Sequence, residues 1–109
     1  MIIYYGELIG TIIYMFIGLS ATLTAITSKK DKELSKLLFI STGWALGYLL
    51  PSLTFGEVSG PHLNPMITIS LVVIKKFEMR FMWGYMIMQC LGSIIGFLLF
   101  FVVNSDKIK

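Results

Sequence analysis

The sequence predicts an all-α membrane protein: three transmembrane helices and one re-entrant half-helix. Three observations carry this. Apolar residues make up 56% of the 109 residues and the mean hydropathy is +0.82, too apolar for a soluble domain of this size. Three uncharged stretches, Leu8–Thr27 (20 residues), Leu37–Gly56 (20) and Phe81–Asn104 (24), each exceed the roughly 18 residues that a spanning helix needs. A polar loop, Ser59-Gly60-Pro61-His62-Leu63-Asn64-Pro65-Met66-Ile67-Thr68, then runs into the apolar segment Ile67–Ile74, which suffices for only half a bilayer.

In chain order, residues 1–109 form a single membrane domain. Helix 1 lies near 3–28. It does not read as a signal peptide, because no Lys or Arg precedes it and Glu7 sits where a basic region belongs. A polar loop, 29–36, leads to helix 2 near 37–56, where Pro51 either kinks the helix or marks its exit. The re-entrant loop and half-helix occupy 57–74. Asn64 is a preferred N-cap residue and Pro65 suits the first helical position. A half-helix that starts near the midplane points its positive dipole end at whatever lies there. Irregular backbone at that depth is tolerated only in protein or against a watery cavity, so the loop points to a pore or a binding site. A hinge, 75–80, precedes helix 3 near 81–104. Each full helix carries a glycine pair four apart, Gly6/Gly10, Gly43/Gly47 and Gly92/Gly96, either as close-packing faces or as the ordinary glycine content of membrane helices. Trp83, beside Arg80 and Phe81, reads as an interfacial anchor, and the seven Met residues as core filler. The lone Cys90 excludes an intramolecular disulfide. The net charge of +3 comes from short loops and bears on topology, with no basic groove for nucleic acid.

Few side chains can carry chemistry. Glu7 is either an interfacial charge or a buried carboxylate accepting from loop backbone; at the midplane it would cost roughly 2.5–3.5 kcal/mol. His62 is the only histidine, a poor metal site without a second His or a Cys nearby, and reads as a structural hydrogen-bonding residue that pins the loop. Asn64 is either a cap alone or a cap whose amide also faces a pore. Gln89 is polar glue between helices or a loop anchor. Trp44 lies mid-helix, twenty residues before Asn64. There is no nucleophile or paired acid for an enzyme.

Together these residues resemble the N-terminal half of the aquaporin and glycerol facilitator (major intrinsic protein) family, over nearly the whole chain. Gly6-Glu7-Leu8-Ile9-Gly10-Thr11 resembles the family's first-helix Glu-x-x-Gly-Thr pattern. Ser59-Gly60-x-His62-x-Asn64-Pro65-x-x-Thr68 resembles its Ser-Gly-x-His-x-Asn-Pro-Ala-Val-Thr loop. Gln89, followed by Gly92 and Gly96, resembles the third-helix Gln and its glycines.

The resemblance implies one aquaporin-like inverted repeat and a passive channel for water and small neutral solutes such as glycerol. It implies no cofactor, no coupling ion and no enzymatic activity, in a multi-pass protein of the plasma membrane. The pore-lining set it implies is Gly60, Pro61, His62 and Leu63 through their carbonyls, with Asn64, Pro65 and Met66 at the midplane. Trp44 falls where glycerol facilitators tend to place a constriction Trp, which tilts the expectation toward small polyols plus water. Glu7, His62 and Gln89 would brace the loop from behind.

Two residues depart from the pattern: Met66 replaces the motif Ala, and Pro61 replaces the small residue after Gly60. The family pore also needs two inverted repeats, the second bringing an Arg after its own Asn-Pro-Ala; Ile67 holds that place here. A homo-oligomer of inverted copies or a separately encoded second half would complete the pore. Otherwise the chain is a non-conducting remnant or a membrane assembly partner. In the family's orientation Lys29, Lys30, Lys32, Lys36, Lys107 and Lys109 lie outside, and Lys75, Lys76 and Arg80 inside, a bias against that orientation.

Overall fold

The computed structural model describes residues 2–108, so Lys109 of the charge comparison lies outside the described residues. Five helices follow one another: α1 Ile2–Thr27, α2 Glu33–Phe55, α3 Pro65–Val73, α4 Met79–Val103 and the short α5 Ser105–Ile108. Three of these, α1, α2 and α4, are long and apolar enough to cross a membrane. At 1.5 Å per residue they run about 35–39 Å, more than the roughly 30 Å hydrocarbon core. The nine residues of α3 give about 14 Å, half a crossing.

Helix α1 is the hub: α2 and α4 pack on it from two sides, and α3 packs on α4. Three of the paired glycines, Gly92, Gly96 and Gly47, are where helix backbones meet, while Gly6 and Gly10 face the side chains of Ser59 and Leu63. A Cβ on Gly92 would sit 2.7 Å from the Leu8 carbonyl oxygen, and one on Gly96 2.9 Å from that of Ile12. On the other side a Cβ on Gly47 would lie 3.1 Å from the Tyr14 carbonyl oxygen. Such approach supplies the packing and weak polar contacts that hold helices together where lipid removes the hydrophobic drive.

The interior confirms that solvent. Among the described residues the buried apolar side chains are Ala25, Leu63, Met82, Tyr85 and Phe100, while Glu7, Thr11, Ser59, His62, Thr68 and Gln89 are buried polar ones. Large apolar residues such as Leu38, Leu49, Leu53, Ile87, Ile94 and Leu98 face outward. A water-soluble protein of this size would have the reverse arrangement.

Element bounds differ from the sequence expectation at three places. Helix α2 begins at Glu33, four residues before the apolar stretch: Glu33 complements the dipole of the first turn and pairs with Lys36 at 3.2 Å. Pro51 does not end the helix, which continues to Phe55. The expected hinge 75–80 is shorter, since α4 starts at Met79. Helix α3 stops in a Schellman arrangement, with the Lys76 amide donating to Leu71 and the Lys75 amide to Val72; Lys75 takes the left-handed conformation (φ 60°) usually given to glycine.

Gly92→Leu should separate α4 from α1, because the obstruction is backbone rather than a movable side-chain end. We expect a loss of about 1–3 kcal/mol, read as an earlier unfolding midpoint in detergent titration.

Candidate functional site

The chain between α2 and α3, residues 56–64, folds back to the middle of the bundle. It leaves α2 through a turn in which the amides of Val58 and Ser59 donate to the Phe55 carbonyl. Two left-handed residues then bend it, Gly60 (φ 55°) and Leu63 (φ 57°). For Leu63 this costs about 1–2 kcal/mol. The strain persists because its surroundings fix it: the side chain is buried against Gly10, and the amide donates to Glu7 Oε2 at 2.9 Å.

Glu7 is the anchor. Its side chain has 0% exposure and accepts from His62 N (2.8 Å), Leu63 N (2.9 Å) and Gln89 Nε2 (3.0 Å). Gly6 and Gly10 flank this buried side chain and let the loop come within reach. Trans peptide planarity sets the next step. Each C=O points opposite to the N–H of its own peptide plane. With the amides of His62 and Leu63 turned to Glu7, the carbonyls of Pro61 and His62 must face away from it. The Tyr48 hydroxyl meets them on that side, at 3.5 and 3.3 Å.

Behind the loop the polar network is closed by Thr68 on α3. Both Glu7 oxygens accept from loop amides, so Gln89 presents its NH₂ edge to the carboxyl group. The second hydrogen of that NH₂ reaches Thr68 Oγ1 at 3.0 Å. Thr68 Oγ1 lies 2.8 Å from His62 Nδ1 and 3.4 Å from the Asn64 carbonyl. The Thr68 hydroxyl thus ties the imidazole to the start of α3. The ring is packed between Phe77 and Tyr85, with centroids 4.6 and 4.9 Å away, and the Tyr85 hydroxyl clamps the Ser59 carbonyl at 2.6 Å.

Asn64 caps α3. Its Oδ1 accepts from Met66 N at 2.9 Å, Pro65 holds the first helical position, and the side chain is exposed. With Oδ1 engaged, the outward-facing part is the amide NH₂, a donor beside the positive end of the half-helix. Met66 is 66% exposed at the same end.

The structure thus brings together Glu7, Gln89 and the run from Gly60 to Met66. Trp44 stands apart. Its Nε1 donates to Thr22 Oγ1 at 3.0 Å, its ring lies against Gly18, and its link to the loop runs through rings: Tyr14 meets Trp44 edge-on at 5.2 Å and Tyr48 at 5.8 Å. Sequence reasoning missed Thr68, Tyr85 and Tyr48 as partners of the loop. Helical spacing held the signal: Thr68 is one turn after Asn64, Tyr85 one turn before Gln89, and Tyr48 one turn after Trp44.

Comparison with known proteins adds a lineage to this geometry. The family model described as "Major intrinsic protein" matches residues 3–109. Glycerol uptake facilitator protein-like 5 of Lactiplantibacillus plantarum is 38% identical over 99 residues, covering 85% of this chain and 40% of that protein. The probable glycerol uptake facilitator protein of Thermotoga maritima is 30% identical over 102 residues, covering 94% and 44%. The X-ray structure of the aquaglyceroporin from Plasmodium falciparum superposes with a TM-score of 0.86 at 30% identity, over 96% of this chain and 42% of that one. The chain spans less than half the length of these relatives.

Glu7→Ala should strand two loop amides and the Gln89 NH₂ in the interior, at about 1–3 kcal/mol for each unsatisfied group. The expected result is a marked fall in folded yield and thermal midpoint in detergent. Glu7→Gln keeps one acceptor and should fall between; wild-type behaviour of both variants would remove Glu7 as the anchor.

Proposed function

The chain belongs to the major intrinsic protein family, and on that premise we propose that it forms half of a passive channel for water and small neutral solutes such as glycerol. The pore is completed by a second three-helix unit, on a second copy of this chain in the opposite orientation or on a separately encoded second half. The channel is multi-pass in the plasma membrane and works without cofactor, coupling ion or enzymatic step.

One observation carries this reading: the outward turn of the Pro61 and His62 carbonyls, imposed by Glu7, next to the exposed amide of Asn64. Two acceptors followed by a donor replace part of the hydration of a neutral solute as it moves from the loop to the midplane. Gly60 and Leu63 supply the bends, Pro65 fixes the start of α3, and Gln89 with His62 holds the loop from behind. The positive end of the half-helix opposes cations and protons. Trp44 narrows the outer part of the path. Met66 occupies the contact with the second unit.

The exposed Met66 end of α3 favours one alternative: without a second unit to cover it, the chain is a non-conducting assembly partner. Osmotic swelling and glycerol uptake in liposomes holding only the purified, inserted chain separate the two. Flux above that of empty liposomes is the expected result, and its absence supports the partner role. In conducting liposomes Asn64→Asp exchanges the donor for a carboxylate. It should cut solute flux about tenfold, the worth of roughly one hydrogen bond to the solute, and admit a cation leak. Unchanged flux with unchanged cation exclusion would remove Asn64 from the pore. Trp44→Phe should raise the water-to-glycerol permeability ratio if Trp44 lines the constriction, and leave it unaltered if the indole only packs on α1.

A further inference from the structure

Two tyrosine hydroxyls reach the carbonyls of the re-entrant loop, and they do so differently. Tyr85 is 2% exposed, and its hydroxyl donates to the Ser59 carbonyl at 2.6 Å. That is a strong, fully buried clamp. Tyr48 is half-buried and stands on the opposite side, where the carbonyls face away from Glu7. Its single hydroxyl hydrogen is divided between Pro61 O at 3.5 Å and His62 O at 3.3 Å. Both distances exceed the 2.7–2.8 Å or so of a good O–H···O bond. A bond this long adds little to loop stability, and a competing hydroxyl that approaches properly displaces it at low cost.

Resting on the channel reading above, we propose that Tyr48 is a specificity-determining residue: its hydroxyl occupies the Pro61–His62 acceptor pair in place of a solute hydroxyl. A polyol that uses both carbonyls at once must move the phenol aside. A water molecule needs only one of them. The side chain is poised for this. Its ring rests edge-on against Tyr14 at 85° and 5.8 Å, and Tyr14 touches Trp44 one turn along α2. Next to it α1 and α2 pack closely: a Cβ on Gly47 would lie 3.1 Å from the Tyr14 carbonyl oxygen. The wall consists of Trp44, Tyr48, the two carbonyls and Asn64 in sequence, with Tyr48 setting how freely a polyhydroxylated solute reaches the carbonyls.

The test uses a property of this chain: His62 is its only histidine. Expression with histidine labelled with ¹³C at the carbonyl places one label on one of the two acceptors, readable by solid-state NMR in bilayers whether or not the chain conducts. Tyr48→Phe removes the hydroxyl and keeps the ring. Expected are a shifted His62 carbonyl resonance in the variant and a saturable response to added glycerol that sets in at lower concentration in Tyr48→Phe than in wild type. An identical resonance in the two proteins overturns the contact. An equal response to glycerol in both overturns the guarding role, and a purely structural brace would also give that result. In liposomes Tyr48→Phe should raise the glycerol-to-water permeability ratio roughly two- to threefold, the low end of what one neutral hydrogen bond is worth. An unchanged ratio in a conducting channel overturns the proposal. Absence of flux from wild type and variant alike counts against the channel reading, while the resonance still decides the role of Tyr48.

Discussion

Glu7 accepts from two successive loop amides, and a planar trans backbone turns that into a direction for two carbonyls. The rest of the site depends on this. A carboxylate at bilayer depth is costly alone. Here three donors meet it, two from the loop and one from α4, and each is a group that would itself be unsatisfied in the interior. The carboxyl group and the irregular backbone satisfy each other's hydrogen bonds. That mutual need also explains why Leu63 tolerates a left-handed conformation: relaxing it withdraws an amide from the buried carboxylate. Gly6 and Gly10 are part of the same constraint, because a Cβ on either would meet Ser59 or Leu63.

The bundle follows from lipid as solvent. With apolar surface free to face the bilayer, burial goes to polar groups that need partners and to glycines that let backbones touch. This is why α1, which bears Glu7, becomes the hub between α2 and α4. The polar interior is small. Gln89, Thr68 and His62 form one connected path, in which Gln89 Oε1 is left without a partner, and the aromatic rings of Phe77 and Tyr85 pack against its imidazole.

Much of this was legible in the sequence. The three spans followed from uncharged length, and the half-helix from Asn64-Pro65 ahead of a short apolar run. Those signals are local. The start of α2 was not legible from hydropathy, because Glu33–Lys36 is polar yet helical through its ion pair and dipole. Nor were the partners of the loop. Gln89 lies 82 residues from Glu7 and Tyr85 lies 26 from Ser59. Which face each residue shows is set by tertiary packing, and a single sequence carries no record of it. Trp44 is the instructive case: its position suggested a constriction, while its indole N–H is committed to Thr22 and only its ring connects toward the loop.

In the proposed channel a second unit would meet the exposed end of α3. Two half-helices meeting at the midplane would bring two positive ends of about half a charge each into proximity. At about 10 Å and an effective dielectric of about 20, their repulsion is roughly 0.4 kcal/mol. A cation passing about 5 Å from both would meet roughly 3 kcal/mol. The arrangement that costs little to assemble is therefore several-fold more hostile to a charge in transit than to itself. Met66 enters at this contact. Its unbranched thioether adjusts to the facing surface, whereas the small residue it replaces leaves the helix ends to touch directly. A methionine on each side would set the ends further apart. Because both terms fall with distance, that spacing weakens the barrier to cations along with the repulsion. In the proposed channel, charge exclusion then rests more heavily on the Asn64 donors than on the dipoles.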